Sequence, residues 1–349
     1  MSAGQRAIAR IDLGAIERNC RRLPKPLCAV VKANGYGHGA VSAAEAAVAG
    51  GAEWLAVAAA AEAAELRTAG IEGRLLVMGA LTGGELSTAL DADADVVAWT
   101  EEIAEAAPRF HVKLDTGMGR LGTNDRDLAL RLAARPNAVG LMTHFATADE
   151  AGDEFFSAQL EAFREFVNEV GRPDLITHAA NSAAALRDSA SHFDMVRCGV
   201  AIYGLDPFQD DPANHDLEPA LSLHSWVASI RRLEEGDSAG YGRRWRAEEP
   251  TWLATVPIGY GDGWRRSLTN NADVLIRGRR HPSVGAVSMD NVTVALGADT
   301  DVEVGDEVVL IGRQGGERIL AEEVARRLGT INYEVTTGLL PRVSREPFR

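Results

Sequence analysis

The stretch Leu27-Cys-Ala-Val-Val-Lys32-Ala-Asn-Gly-Tyr36-Gly-His-Gly-Ala40 decides how this chain is read. A short apolar strand closes on a lysine, a glycine loop carrying a tyrosine follows at once, and a helix pattern runs from Val41 to Ala49. Lysine is strongly hydrated and rarely ends a buried strand without a use. One use is a Schiff base to a carbonyl cofactor. The plain alternative is a side chain that snorkels out of the strand end. A third reading comes from Gly35-Tyr-Gly37-His-Gly-Ala40, which fits G-x-G-x-x-G/A with Glu53 at a plausible ribose distance, the fingerprint of a dinucleotide enzyme. Against it, Lys32-Ala-Asn34 separates the strand from the first glycine, where that fingerprint turns immediately.

Working outward, short apolar runs alternate with amphipathic stretches up to about residue 204. The strand candidates are Leu27–Val31, Trp54–Ala59, Arg74–Gly79, Asp95–Trp99, Phe110–Leu114, Ala138–Thr143, Leu175–Ala179 and Asp194–Arg197. Helical patterns such as Ala61–Ala69, Asp125–Arg135 and Glu154–Val170 separate them. This alternation predicts parallel strands joined by helices, and eight repeats favour a closed (β/α)8 TIM-like barrel over an open sheet. After Pro219 the texture changes to Val-rich alternation with glycine turns: Leu253–Ile258, Ala272–Ile276, Val292–Leu296 and Glu307–Ile311, with a helix near Ala321–Leu328. The expected architecture is α/β, with a barrel over residues 8–214 and a C-terminal, mainly antiparallel β domain over 215–349. Asp206–Pro219 is the connection, and residues 1–7 are candidates to pair with the β domain.

Bulk properties narrow the function. A formal net charge of −14 argues against nucleic acid or an anionic membrane surface as a partner. No apolar run approaches a membrane span, and Met1 to Asn19 carries no export pattern. Cys20, Cys28 and Cys198 show no C-x-x-C spacing and are odd in number, which fits a reduced, cytoplasmic protein. No metal is expected.

Functional residues of such a barrel project from the C-terminal ends of its strands. Lys32 closes the first strand. The fifth ends in Lys113-Leu-Asp115-Thr-Gly-Met-Gly-Arg120, the sixth in Thr143-His144, the seventh in His178-Ala-Ala-Asn181-Ser182 and the eighth in Arg197-Cys-Gly199-Val200. Each has an ordinary explanation alone: His144 as a hydrogen-bonded structural histidine, Asn181-Ser182 as a helix cap, Arg197 as an ion-pair partner. Gathered at strand ends, they favour a common functional role.

These residues carry a resemblance. The chain is similar to the alanine racemases, barrel-fold enzymes that use pyridoxal phosphate, from about Ile8 to about Arg345. The matching motifs are Ala29-Val-Val-Lys-Ala-Asn-Gly-Tyr-Gly-His-Gly, Lys113-Leu-Asp-Thr-Gly-Met-Gly-Arg-Leu-Gly, Thr143-His-Phe-Ala-Thr-Ala-Asp149, His178-Ala-Ala-Asn-Ser, Met195-Val-Arg-Cys-Gly-Val-Ala-Ile-Tyr-Gly and Pro257-Ile-Gly-Tyr-Gly-Asp-Gly-Trp264. The resemblance implies that Lys32 holds pyridoxal 5'-phosphate as an imine and acts as one acid/base. Tyr36, Asn181, Ser182, Gly199 and Val200 are then cofactor-binding, and Arg197 faces the pyridine nitrogen. Racemisation needs a proton removed from one face and returned to the other, so two bases are required. In the family the second is the tyrosine matching Tyr241, contributed by a partner subunit of a homodimer, with His144 and Arg197 nearby to favour its charged form. Lys32 then serves the D-enantiomer and Tyr241 the L-enantiomer. Arg120 and the backbone around Met289 are implied to hold the substrate carboxylate, and Tyr260 and Asp290 line the site from the partner. The lysine matching Lys113 is carbamylated in many members.

The chain departs from the family pattern at Ser288, where cysteine is common, and at Pro341, where some members carry a phosphate-contacting tyrosine. Proline offers neither hydroxyl nor N–H. The implied activity is interconversion of L- and D-alanine, with D-alanine supply to the cell wall or D-amino-acid catabolism as its setting. The rivals are a decarboxylase of the same barrel, whose glycine-rich and C-x-S-x-D-type segments are not found here, a non-catalytic pyridoxal-phosphate carrier, and the dinucleotide enzyme.

Overall fold

Four consecutive fully buried residues, Leu27–Val30, form the first strand of a parallel sheet in the computed structural model, which describes residues 5–349. Trp54–Val57, Arg74–Val77, Asp95–Ala98, Phe110–Lys113, Ala138–Met142 and Ile176–His178 follow in chain order, and Val196–Cys198 pairs on the free side of the first strand. Asp194 and Arg197 donate their N–H groups to the carbonyls of Thr177 and Ala180, both at 2.9 Å, and close the ring between the eighth strand and the seventh. The predicted (β/α)8 barrel is therefore present, and its closure excludes the open sheet of a dinucleotide enzyme. Most strand positions are buried because one face fills the barrel and the other meets the helices. The predicted helices form within a few residues of their expected bounds. Asp125, for instance, caps Arg126–Ala133 by accepting the Leu128 N–H at 3.0 Å.

The barrel unit comprises Gly14–Glu218, which corrects the expected start at residue 8. Ile8–Asp12 is a strand of the second unit, antiparallel to Leu221–Trp226 and parallel to Ser344–Phe348. Pairing with partners more than two hundred residues away leaves no local signature in the sequence. Residues 5–7 also run along this unit: Ser225 Oγ donates to the Arg6 carbonyl at 2.8 Å and Trp226 Nε1 to that of Gln5 at 3.2 Å. The first four residues lie outside the described ones.

The second unit is a ten-stranded, mainly antiparallel sheet. Its path runs Ser229–Leu233, Thr251–Val256, Val292–Gly297, Arg279–Val284, Ala272–Ile276, Glu307–Gln314, Leu221–Trp226, Ile8–Asp12 and Ser344–Phe348, with Glu317–Ile319 paired to Glu307–Gln314. Arg279–Val284 has no counterpart in the sequence reading because it is polar and contains Pro282. Its pairing with Val292–Gly297 involves only Ser283 and Val284, so the missing N–H of Pro282 breaks no bond on that side.

Candidate active site

Lys32 owes its placement to an unusual turn. Ala33, Asn34, Gly35 and Tyr36 all adopt left-handed backbone angles, with φ of 53°, 54°, 60° and 51°. Three of these are not glycine, and such residues each cost about 1–2 kcal/mol in that conformation. Glu62 offsets the strain: one carboxylate oxygen accepts the Ala33 N–H at 2.6 Å, and the other accepts those of Ala58 and Ala59 at 2.9 and 3.0 Å. Asn34 Oδ1 accepts the Ala40 N–H at 3.0 Å and ties the turn to the next helix. The glycine loop is thus a left-handed turn that buries Tyr36 and leaves Lys32 half-buried at the strand end. Burial lowers the Lys32 pKa, and the Arg120 guanidinium adds to the effect.

Tyr36 reaches the end of the neighbouring eighth strand. A side chain at position 199 would place its Cβ 2.3 Å from the Tyr36 hydroxyl, so glycine is required there. Ser182 Oγ accepts the N–H groups of Gly199 at 3.1 Å and Ala201 at 3.3 Å. Val200 opens a 3-10 turn, where its N–H has no acceptor within the turn. Tyr36, Ser182, Gly199 and Val200 therefore meet beyond the seventh and eighth strands. Asn181 gives its carboxamide oxygen to the Ala184 N–H at 3.0 Å as the cap of Ser182–Arg187, the ordinary role open to it.

Arg197 is 3% exposed and pinned. Nη1 donates to His178 Nδ1 at 2.9 Å, and Nη2 faces the Thr143 carbonyl at 2.8 Å, the Ala179 carbonyl at 3.0 Å and His144 Nδ1 at 3.2 Å. Burial lowers its pKa to about 10, which keeps it protonated at neutral pH. Its Nε–H and one Nη1–H remain to donate elsewhere. Guanidinium only donates, so His144 Nδ1 accepts and the ring carries its proton on Nε2. Burial, followed by Arg197, holds His144 neutral by pushing its pKa well down. Gln159 fixes the backbone here, accepting the Ala146 N–H at 2.8 Å and donating to the His144 carbonyl at 3.2 Å.

Lys113 is 5% exposed, and burial, Arg197 and Arg120 lower its pKa to about 8. The loop after it folds on Asp115, whose carboxylate accepts the N–H groups of Gly117 and Gly119, each at 2.9 Å. Arg120 is exposed on this loop, and no carboxylate pairs with it among the described residues.

The remaining predicted residues belong to the β unit. Tyr241 opens a tight turn after Gly240 (φ 71°) and is 75% exposed. Tyr260 and Met289 sit together: the Tyr260 N–H donates to the Ser288 carbonyl at 3.1 Å and the Gly261 N–H to that of Met289 at 2.8 Å. Asp290 accepts from Arg342 Nη2 at 2.8 Å, while Arg342 Nε reaches buried Asp262 at 2.9 Å. Ser288 closes its own turn, Oγ donating to the Asn291 carbonyl at 2.8 Å and accepting the Asn291 N–H at 3.0 Å. Pro341 is exposed.

The alanine racemase N-terminal domain family matches residues 11–207, and the alanine racemase C-terminal domain family matches residues 220–347. The chain belongs to the alanine racemase family. It is 42% identical to the alanine racemase of Symbiobacterium thermophilum, over 97% of this chain and 96% of that one. It is 40% identical to alanine racemase 1 of Bacillus subtilis, over 97% and 92%. Among solved structures, alanine racemase from E. faecalis superposes with a TM-score of 0.91 at 37% identity, covering all of both chains. The Bacillus anthracis enzyme with bound L-Ala-P gives 0.91 at 38% identity, covering 100% and 96%. Matches to both family domains also separate the chain from carriers that resemble the barrel alone.

Sequence reasoning assigned no role to Glu62, His178 or Gln159. His178 lay inside a quoted motif, but only the fold shows that it faces Arg197. Glu62 lies 29 residues from the turn it holds.

Proposed function

We propose that this chain is a pyridoxal-phosphate-dependent alanine racemase that works as a homodimer with shared active sites. The observation that carries the reading is Arg197, a buried guanidinium fixed by carbonyls and histidines with donors left over at the barrel's functional end. The donor set suits the cofactor. Tyr36, Ser182, Gly199 and Val200 would hold its phosphate, Lys32 its carbonyl carbon, and the free donors of Arg197 its ring nitrogen. Pyridoxal phosphate, when bound, supplies a carbon that takes up the amino group and a ring that acidifies the substrate Cα–H.

The chain's own groups then move the proton. Lys32 Nζ, made a weaker acid-holder by burial and Arg120, takes or returns it on the face serving D-alanine. The phenol oxygen of Tyr241 of the partner subunit does so on the other face. The exposure of Tyr241 within its own unit supports this, since an aromatic ring left 75% in water invites cover. His144, with its proton on Nε2, is a donor suited to stabilise a phenolate. Arg197 keeps its protons and so keeps the ring nitrogen unprotonated, which limits electron withdrawal and favours proton exchange over transamination. Arg120, unpaired, and the Met289 backbone would take the substrate carboxylate, with Tyr260 and Asp290 of the partner subunit lining the pocket.

Lys113 is buried beside two arginines, and its lowered pKa of about 8 gives it far more neutral amine at neutral pH than an ordinary lysine, which suits condensation with carbon dioxide to a carbamate. An intact mass unchanged by mild acid would refute that modification. No helix among the described residues is long and apolar enough to cross a membrane, and the three cysteines are buried and free. Both fit our reading of a cytoplasmic enzyme supplying D-alanine for the cell wall. The test is the optical rotation of L-alanine with purified protein and pyridoxal phosphate: decay to zero supports the reading, and a constant signal refutes it.

A further inference from the structure

Behind Arg197 a polar chain runs the length of the barrel. His178 Nδ1 stands 2.9 Å from Arg197 Nη1, and His178 Nε2 stands 2.8 Å from His111 Nδ1. His111 Nε2 in turn lies 3.5 Å from Asp95 Oδ2. Both histidines are 0% exposed and Asp95 is 2% exposed. His178 is the last residue of its strand and Arg197 the last but one of its own, whereas Asp95 is the first residue of its strand, at the opposite end. There Arg109 Nε holds the carboxylate at 2.5 Å and Arg74 at 3.2 Å, with the Arg74 guanidinium 4.1 Å above the Trp54 ring.

The chemistry of the donors gives this chain a single direction. Guanidinium can only donate, so His178 Nδ1 accepts and its proton sits on Nε2. That N–H donates to His111 Nδ1, which places the His111 proton on Nε2, on the side of the Asp95 carboxylate but without a hydrogen bond to it. An imidazolium at either ring would set donor against donor. The barrel makes room for the arrangement: a Cβ at Gly140, on the neighbouring strand, would lie 2.2 Å from His111 Nδ1. Gly140 has no positive φ, so space for the imidazole is the reason for glycine there.

We propose that Asp95 and His111 are positioning residues for the racemisation. The negative charge of the carboxylate at the far end of the barrel favours the His111 proton on the nitrogen that faces it, His111 then offers its other nitrogen to His178 as an acceptor, and His178 thereby holds Arg197 in one orientation as a donor. This rests on the assignment of Arg197 to the cofactor's ring nitrogen. The ends of barrel strands opposite the active site ordinarily serve stability. What separates the two roles is the proton position on His178, which a purely structural His111 would not influence.

The experiment uses the full chain labelled with 15N-histidine, whose ring nitrogens report the tautomer of each of its eight histidines. Spectra are taken at neutral pH with and without pyridoxal phosphate. The expected result is a neutral ring with the proton on Nε2 at both His111 and His178. In His111→Phe, and independently in Gly140→Ala, His178 changes to a mixture of tautomers. Alanine kcat then falls about tenfold while KM and cofactor loading stay within about threefold, as expected of a misplaced rather than missing group. An Nδ1–H or charged ring at either histidine of the unmodified chain overturns the proposal. So does a folded variant in which His178 keeps its proton on Nε2, or one in which the tautomer changes and kcat does not. Unmodified protein that shows both expected tautomers yet racemises no alanine refutes the functional assignment instead.

Discussion

Glu62→Gln tests how the Lys32 turn is held. The oxygen bonded to two N–H groups, those of Ala58 and Ala59, is where a carboxamide places its own oxygen. Its NH2 then faces the Ala33 N–H, so a 2.6 Å bond becomes a contact between two donors. A charge-assisted hydrogen bond contributes about 1.5–3 kcal/mol, and partial access of water at Ala33 favours a net loss of about 2 kcal/mol. Against this stand four left-handed residues that gain by relaxing once the bond is gone. In a unit of this size about 2 kcal/mol lowers Tm by about 4–8 °C. The same free energy, if the turn must re-form for the cofactor to bind, weakens pyridoxal phosphate binding by at least about tenfold. Thermal unfolding of the cofactor-free protein and an absorbance titration with pyridoxal phosphate measure the two effects. A Tm within about 1 °C of the original together with an unchanged Kd would show that the turn does not depend on Glu62.

Three further outcomes are expected. Tyr241→Phe removes only a hydroxyl that packs against nothing among the described residues of its own unit, so the unit's Tm is unchanged, while racemisation measured by polarimetry falls by about 10²–10⁴-fold as befits loss of a general base. Ser182→Ala leaves the Gly199 and Ala201 N–H groups without their acceptor and lowers pyridoxal phosphate affinity by about tenfold or more, read by the same titration. For Asp95, burial pushes the carboxyl up, and His111 and Arg109 more than offset that, holding it at about 2 against an ordinary 3.8. Its folded pKa is depressed, so the stability it contributes is present above about pH 4 and lost as pH falls through about 2, roughly 2 kcal/mol in all. Urea unfolding from pH 5 to 2 should therefore show a shallower acid loss in Asp95→Asn than in the original chain.

The barrel was legible because each buried strand is a short apolar run punctuated by an amphipathic helix, and chemistry-bearing residues sit where those runs end. Strands of the β unit were legible only where alternation is strong, as in Ala272–Ile276, which the structure matches residue for residue. Leu221–Trp226 carries Ser222, His224 and Ser225 and was not read as a strand, although His224 is buried against Glu307 and Ser222. Residues acting directly on a ligand could be nominated from strand ends, whereas those acting through them could not. His111 sits within a fully buried strand, and its one trace is a glycine opposite, at position 140. Glu62 looks like any first-turn helix acid, because its bond to Ala33 exists only once the first barrel strand and the second helix are packed.

The claim of two bases from two subunits is tested most directly with a heterodimer built from two inactive variants. Lys32→Ala and Tyr241→Phe chains carrying different tags are produced together, and the mixed dimer is isolated through both tags. One of its sites then has both Lys32 and Tyr241 of the partner subunit, and the other has neither. The expected result is about half the alanine racemisation of the unmodified dimer, with each variant homodimer nearly inactive. A mixed dimer no more active than either homodimer would contradict the shared site, and so would a single-variant homodimer that retains full activity.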